Sequence, residues 1–284
     1  MERVGEFELT WGESVRWDDR RGRLFFVDCA AQTLHWLDGG EPPLHTVPMP
    51  SMPTGVALTE GDELVVCLDD GLHVVDADAG TTALLAPYPE GMAGRANDAT
   101  ADGAGNLVTG TLNLAAGPGS AWWWSASGGW RLLDDDIGNF NGPVHLDLDG
   151  GSTLVLGDTV AEKVYAYSYD APAGTVGPRR VLCDHATLGG APDGATADAD
   201  GGVWSCVLRS GKLVRLTAEG ADRLVDVPMA NPSDVAFGGP GLDRLYLTAI
   251  AVDLGDGPPA REASWLSTLD GLGRGRLEHR VSLG

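Results

Sequence analysis

GESVRWDDRRGRLFFVDCAAQTLHWLDGG, residues 12–40, decides the fold. A polar turn at Glu13 leads into VRWD, and DRRG breaks the run. LFFVD then reads as a buried strand, and after a short turn TLHWLD alternates as a second strand should. The same order recurs in GVALTEGDELVVCLDDGLHVVDADAG (55–80), in DATADGAGNLVTGTLN (98–113) with AWWWSASGGWRLLDD (121–135), and in VHLDLDGGSTLVLGDTVAEKVYAYSYD (144–170). It recurs again in GATADADGGVWSCVLRSGKLVRLTAEG (194–220) and DVAFGGPGLDRLYLTAI (234–250). The turns that open these units sit at Glu13, Thr54, Asn97, Asn141, Asp193 and Ser233-Asp234, at spacings of 41, 43, 44, 52 and 41 residues. Such a period, sustained through the chain, is the signature of a repeat architecture.

Each unit reads as strand, tight turn, strand, short turn, strand, and then a weaker fourth strand. TALLAPY (82–88), RRVLCD (179–184) and DRLVDVPM (222–229) are candidates for the fourth. No segment keeps a 3.6-residue period over a helical length, so a helical solenoid is excluded. Four antiparallel strands repeated radially describe an all-β, six-bladed β-propeller. Residues 1–284 are expected to form that single domain. FELTW (7–11) is expected to pair beside the last blade, closing the ring and removing an exposed edge.

Composition narrows the function. The chain has 284 residues, with 41 acids against 19 Lys and Arg and a formal charge of -22. Such a surface repels phosphate backbones and anionic membranes, so neither nucleic acid nor membrane is an expected partner. The 41 glycines suit a protein with many turns. Cys29, Cys67, Cys183 and Cys206 form no CxxC pair and read as free thiols, buried for the most part. The N-terminal MERVGEFELTW shows neither an apolar core nor a cleavage pattern, which leads to the expectation of a soluble, cytoplasmic protein acting on a small molecule, as a monomer or weak homodimer.

In a propeller, turns that precede the innermost strands converge on one mouth of the central channel. Glu13, Asn97, Asn141 and Asp193 would bring two carboxylates and two amides there, an oxygen set suited to a hard divalent cation. Asp193, in APDG, is the candidate for a second duty as general base. Asn-Gly and Asp-Gly are also common turn formers, and that structural role competes at Asn141 and Asp193. Thr54 and Ser233 would complete the wall, with Asp234 serving its turn. Arg95, in GRAND, could bind substrate oxygens or pair with an acid. Trp11 and Trp17 flank Glu13 and are expected around the mouth. Trp122, Trp123 and Trp124 are expected to alternate between sheet faces, His145 to lie in the channel or core, and Asp134–Asp136 to form a solvated turn.

These residues resemble the SMP-30/gluconolactonase/luciferin-regenerating family of six-bladed propellers. The ordered set of GE, RxND, NG, GDT…YxYD and PDG carries the resemblance from about residue 12 to 250. It implies one divalent cation, calcium first and zinc, magnesium, manganese or iron as alternatives, on Glu13, Asn141 and Asp193. It also implies substrate binding by Arg95 and Asn97, and lactone hydrolysis with Asp193 as base. GESVRW and FNGP depart from the family's usual GEGPxW and SNG. The segment GTLNLAAGPGSAW (110–122) offers Asn113 as a substrate contact in place of a carboxylate. The alternatives are another metal-assisted reaction, such as phosphotriester hydrolysis, or a non-catalytic calcium- or ligand-binding propeller.

Overall fold

The computed structural model describes residues 1–112, 118–252 and 264–284. Among them lie six antiparallel sheets, built in chain order from innermost to outermost strand. The innermost strands are Gly12–Asp18, Val56–Leu58, Arg95–Ala101, Phe140–Leu148, Ala191–Ala197 and Pro232–Gly238. The architecture is the six-bladed propeller that the repeat predicts.

The apolar strands are continuous because both of their faces are covered. In Arg23–Asp28, Phe25 and Val27 pack toward the second blade, while Leu24 and Phe26 pack toward the sixth. Trp123 and Trp124 divide in the same way, toward the fourth and second blades. Six hydrophobic clusters result, one at each junction between neighbouring blades. The apolar core is thus a ring, and the axis is left to polar groups.

The 52-residue spacing has a local cause. In the fourth blade two segments, Thr175–Val176 and Arg180–Asp184, pair with Lys163–Asp170, and a 3₁₀ turn at His185–Leu188 follows. Asp184 caps that turn by accepting from Ala186 N–H. Asp134–Asp136 is not a solvated turn. It lies on the outer strand Gly129–Ile137, where Asp134 accepts from the Tyr167 hydroxyl at 2.8 Å and Asp136 pairs with Arg179 at 2.6 Å.

Closure uses both chain ends. Glu2–Arg3 is the outermost strand of the last blade, paired with Ser267–Asp270, and Leu9 and Trp11 form single bridges to Ser264 and Ile250. The strand therefore lies upstream of FELTW, and that segment supplies the bridges. At the other end, residues 274–284 cross the far mouth of the channel. Gly275 bridges Asp198 in the fifth blade and donates to Leu242 O in the sixth. The His279 ring lies 5.3 Å from that of His145 in the fourth, and Arg280 pairs with Asp18 and Asp19 in the first. Val281 bridges Thr59 in the second, and Ser282 N–H donates to Gly105 O in the third. This strap touches every blade. Among the described residues no helix is long and apolar enough to cross a membrane.

Removing residues 1–10 exposes Val4 and Leu9 partners and leaves an open edge. The expected fall in Tm is roughly 10 °C, from several kcal/mol of lost burial; an unchanged melting point would contradict the closure. The strap has its own signature. Burial would raise the Asp18 pKa, but Arg280 and Arg21 outweigh it and hold it below the ordinary value. A depressed carboxylate stabilises the fold above its unfolded pKa and loses that contribution as pH falls through the folded one. Asp18→Asn should therefore lower Tm at pH 7, with the deficit closing below about pH 4; a constant deficit in thermal scans across pH would show that the charge is not responsible.

Candidate functional site

Five of the six inner strands break register at the same place, between Glu13 and Arg16, Ala96 and Ala99, Asn141 and Val144, Pro192 and Ala195, and Pro232 and Val235. Each break is a bulge that re-aims side chains beside the axis. Ser14 and Gly142 take left-handed φ values of 54° and 49° there. The bulges also bind blade to blade. Val56 N–H donates to Ser14 Oγ at 2.7 Å, and Thr54 Oγ1 donates to Ala96 O at 2.9 Å. Gly142 N–H donates to Asp98 Oδ2 at 2.9 Å, Thr159 Oγ1 to Pro192 O at 2.8 Å, and Val15 N–H to Asp234 Oδ2 at 2.7 Å. At Gly194 a Cβ would collide with the Asp234 carboxylate, so beside the axis the fifth blade approaches Asp234 of the sixth through glycine.

Arg16 fills the axis and is 4% exposed. Its Nε donates to Val56 O, Nη1 to Val15 O and Asp234 Oδ2, and Nη2 to Asp98 Oδ1 and Ala99 O, at 2.7–3.2 Å. All five guanidinium N–H groups are used. Burial works against its charge, but Asp234 and Asp98 outweigh that and hold the pKa above the ordinary value. Beyond Arg16 toward the strap lies a 30 Å³ chamber, bounded by Thr100, His145, Thr196, Glu278 and His279. His145 is spent there, accepting from Gly103 N–H at 2.8 Å and contacting Ser152 Oγ at 2.9 Å.

On the other side of Arg16 lie the turn residues. Asn97 Nδ2 donates to Asn141 Oδ1 at 2.6 Å and to Phe140 O at 3.0 Å. Asn141 Nδ2 donates to Thr159 Oγ1 at 2.7 Å. Because the Thr159 proton goes to Pro192 O, the Asn141 amide nitrogen must face Thr159, and its oxygen faces Asn97. Glu13 Oε1 accepts from Trp11 Nε1 at 3.2 Å. The Arg95 guanidinium stands 5.9 Å from the centroid of the Trp11 ring, and its buried Nη1 has no hydrogen-bond partner among the described residues.

Glu13 and Asp193 are electrostatically strained. Burial, then Asp234 and Asp98, raise the Glu13 pKa well above the ordinary value. Burial, then Glu13, Asp234 and Asp98, do the same at Asp193. Each carboxyl thus resists ionisation: Arg16 has no donor left, and Arg95 opposes the shift at Glu13 without reversing it. A divalent cation between them would relieve that repulsion, and the Asn141 oxygen adds a neutral donor. This set of hard oxygens fits such an ion. Among the described residues no group of three or more His, Cys, Asp or Glu is arranged to hold a metal, so a site here needs the amide as well as the two carboxylates.

This architecture has relatives. Residues 11–251 match the SMP-30/gluconolactonase/LRE-like region. The chain belongs to that family. A pentonolactonase of Haloferax volcanii is 32% identical over 98% of this chain and 97% of its own length. A luciferin-regenerating enzyme shares the fold with a TM-score of 0.90 at 25% identity, over 99% of both chains. A calcium-binding protein, regucalcin, from Agrobacterium tumefaciens does so with a TM-score of 0.85 at 25% identity, over 99% of this chain and 97% of its own.

Within this family member, Glu13, Arg95, Asn97, Asn141 and Asp193 lie around the axis on one side of Arg16, and Asn113 lies outside the described residues. Trp11 reaches Glu13, but Trp17 does not. Its ring stacks on Tyr246 at 6.3 Å, at the far end of the same strand. Asp234 does more than serve its turn, since it binds Arg16 and Val15 across the ring. Sequence reasoning missed Arg16 and Asp98. The signal was a lone base four residues after the start of the first inner strand, and two acids, Asp98 and Asp234, each directly after a turn residue, Asn97 or Ser233. Cys29, Cys67 and Cys206 are buried free thiols, and Cys183 is half-buried.

Arg16→Met should cost about 3–5 kcal/mol, since it leaves two carboxylates buried without their cation. Urea denaturation checks this, and a loss below 1 kcal/mol would show that the carboxylates find relief elsewhere.

Proposed function

We propose that the chain is a divalent-cation-dependent lactonase that opens a small sugar lactone. The observation that carries this reading is the convergence of Glu13 and Asp193, with Glu13 raising the Asp193 pKa, beside an Arg95 nitrogen that has no partner among the described residues. The name of the Haloferax relative, a pentonolactonase, supports the substrate class.

In this reading Glu13, Asn141 and Asp193 hold the cation, with calcium the first candidate among the hard divalent ions. A cation bound there would polarise the lactone carbonyl and make water more acidic. Asp193 accepts the proton of the attacking water. Arg95 Nη1 donates to a substrate oxygen. Asn97, fixed by its bonds to Phe140 and Asn141, positions the substrate at the remaining side. The carbonyl carbon–ring oxygen bond breaks, the leaving alkoxide is protonated, and an open hydroxy acid is released.

The calcium-binding relative favours one competing reading, a propeller that binds calcium without catalysis. A pH-stat assay separates the two. Metal-loaded protein is offered aldonolactones and aliphatic lactones, with a chelated sample and Asp193→Asn as controls. Turnover should fall at least about 100-fold in both controls, in line with loss of a general base. Turnover unaffected by either control would overturn the mechanism, and calcium binding with no turnover across the panel would favour the binding protein.

A further inference from the structure

The first and fourth blades place their site residues at the same register. Glu13 pairs with Val27 and Gly12 with Asp28, as Asn141 pairs with Gly157 and Phe140 with Asp158. Asp28 and Asp158 are therefore equivalent, and each grips the loop that enters its inner strand. Asp28 accepts from Thr10 N–H at 2.7 Å and Trp11 N–H at 3.2 Å. Asp158 accepts from Gly138 N–H at 2.9 Å and Asn139 N–H at 3.2 Å.

The residue after each aspartate differs. In the fourth blade it is Thr159, whose hydroxyl fixes the Asn141 amide. In the first it is Cys29, a buried thiol and a weak hydrogen-bond partner. Glu13 receives its orienting bond from the opposite direction, from the Trp11 indole N–H. The same ring lies under Arg95 and packs at its edge against the first- and second-blade core. Asp28 pins the backbone from which this indole projects.

We propose that Trp11 is a positioning residue with two separable duties: its N–H fixes the Glu13 carboxylate for the cation, and its face holds Arg95 for the substrate. The inference rests on the cation-site reading above. Hydrogen bonds to a metal-binding carboxylate set its orientation, and their loss commonly lowers metal affinity by about 10-fold or more. A guanidinium within about 6 Å of an indole centroid is held electrostatically by the ring.

The test is calorimetric titration of the full chain with calcium chloride. Trp11→Phe keeps a ring and loses the N–H, and should weaken calcium binding about tenfold. Trp11→His keeps a ring N–H and should bind more tightly than Trp11→Phe. Melting curves identify a variant that fails to fold, and the other then decides against wild type. At saturating calcium Trp11→Phe should retain KM for a turned-over lactone, whereas Trp11→Leu should raise it several-fold. Equal calcium affinity in wild type and Trp11→Phe, or in Trp11→Phe and Trp11→His, would overturn the duty assigned to the N–H; an unchanged KM in Trp11→Leu would overturn the one assigned to the ring. Wild type that binds no calcium would remove the cation-site reading and this inference together, while binding without lactone turnover removes only the lactonase reading and leaves the calcium arm in force.

Discussion

One guanidinium between two carboxylates organises the axis of this molecule. A propeller buries its apolar surface between blades, so the channel must be filled by groups that satisfy one another. Arg16 does this with all five of its donors, to Asp98 and Asp234 and to three backbone carbonyls from three different blades. A buried ion pair of this kind contributes little net stability over an apolar filling, because desolvation offsets its attraction. What it does contribute is register: only one alignment of the first, second, third and sixth blades satisfies every bond.

The second consequence is electrostatic. Four carboxylates from the blades converge near the axis, Glu13, Asp98, Asp193 and Asp234, and Glu278 of the strap joins them on the chamber side of Arg16. Arg16 pairs with Asp98 and Asp234, while Glu13 and Asp193 form no ion pair among the described residues. The field of the lower pair adds to the repulsion at the upper pair, as the causes of the Glu13 and Asp193 shifts record. The same arrangement that completes the ring thus leaves a cation-hungry pocket on one side. On the other side, Arg16 and the C-terminal strap cross the channel, with a chamber of only 30 Å³ between them. A ligand reaching the Glu13–Asp193 pocket would consequently enter from one side.

The repeat was legible in the sequence because each blade needs the same two things, a doubly buried strand and a polar turn. Phe25 and Phe26 facing opposite neighbours, and Trp123 and Trp124 doing likewise, are the physical content of those continuous apolar runs. The turn residues were legible because the bulge falls at one position in blade after blade. Arg16 was not, since a single arginine carries no periodic signal and its partners lie 82 and 218 residues away. Trp17 was misplaced for a related reason: seven residues of inner strand run the length of the channel, so proximity in sequence to Glu13 put it at the opposite end. Asp134–Asp136 looked like a solvated turn because its partner Arg179 arrives from the next blade. The strap was silent because its contacts are scattered over six blades rather than periodic.

The scarcity of bases gives the remaining argument. With 19 Lys and Arg against 41 acids, most arginines that touch the interior are committed. Arg16, Arg21, Arg179, Arg215 and Arg280 are each paired with aspartates. Arg95 stands apart, supported by an aromatic face and carrying a buried nitrogen with no partner among the described residues. An unsatisfied buried donor of this kind costs about 1–3 kcal/mol, more when charged. Glu13 lies near enough to feel the Arg95 charge but makes no ion pair with it among the described residues. That the fold instead holds Arg95 over an indole, next to the Glu13–Asp193 pair, is what an acceptor-bearing ligand would exploit: its oxygen completes the arginine at the same moment that it enters the field of the cation site.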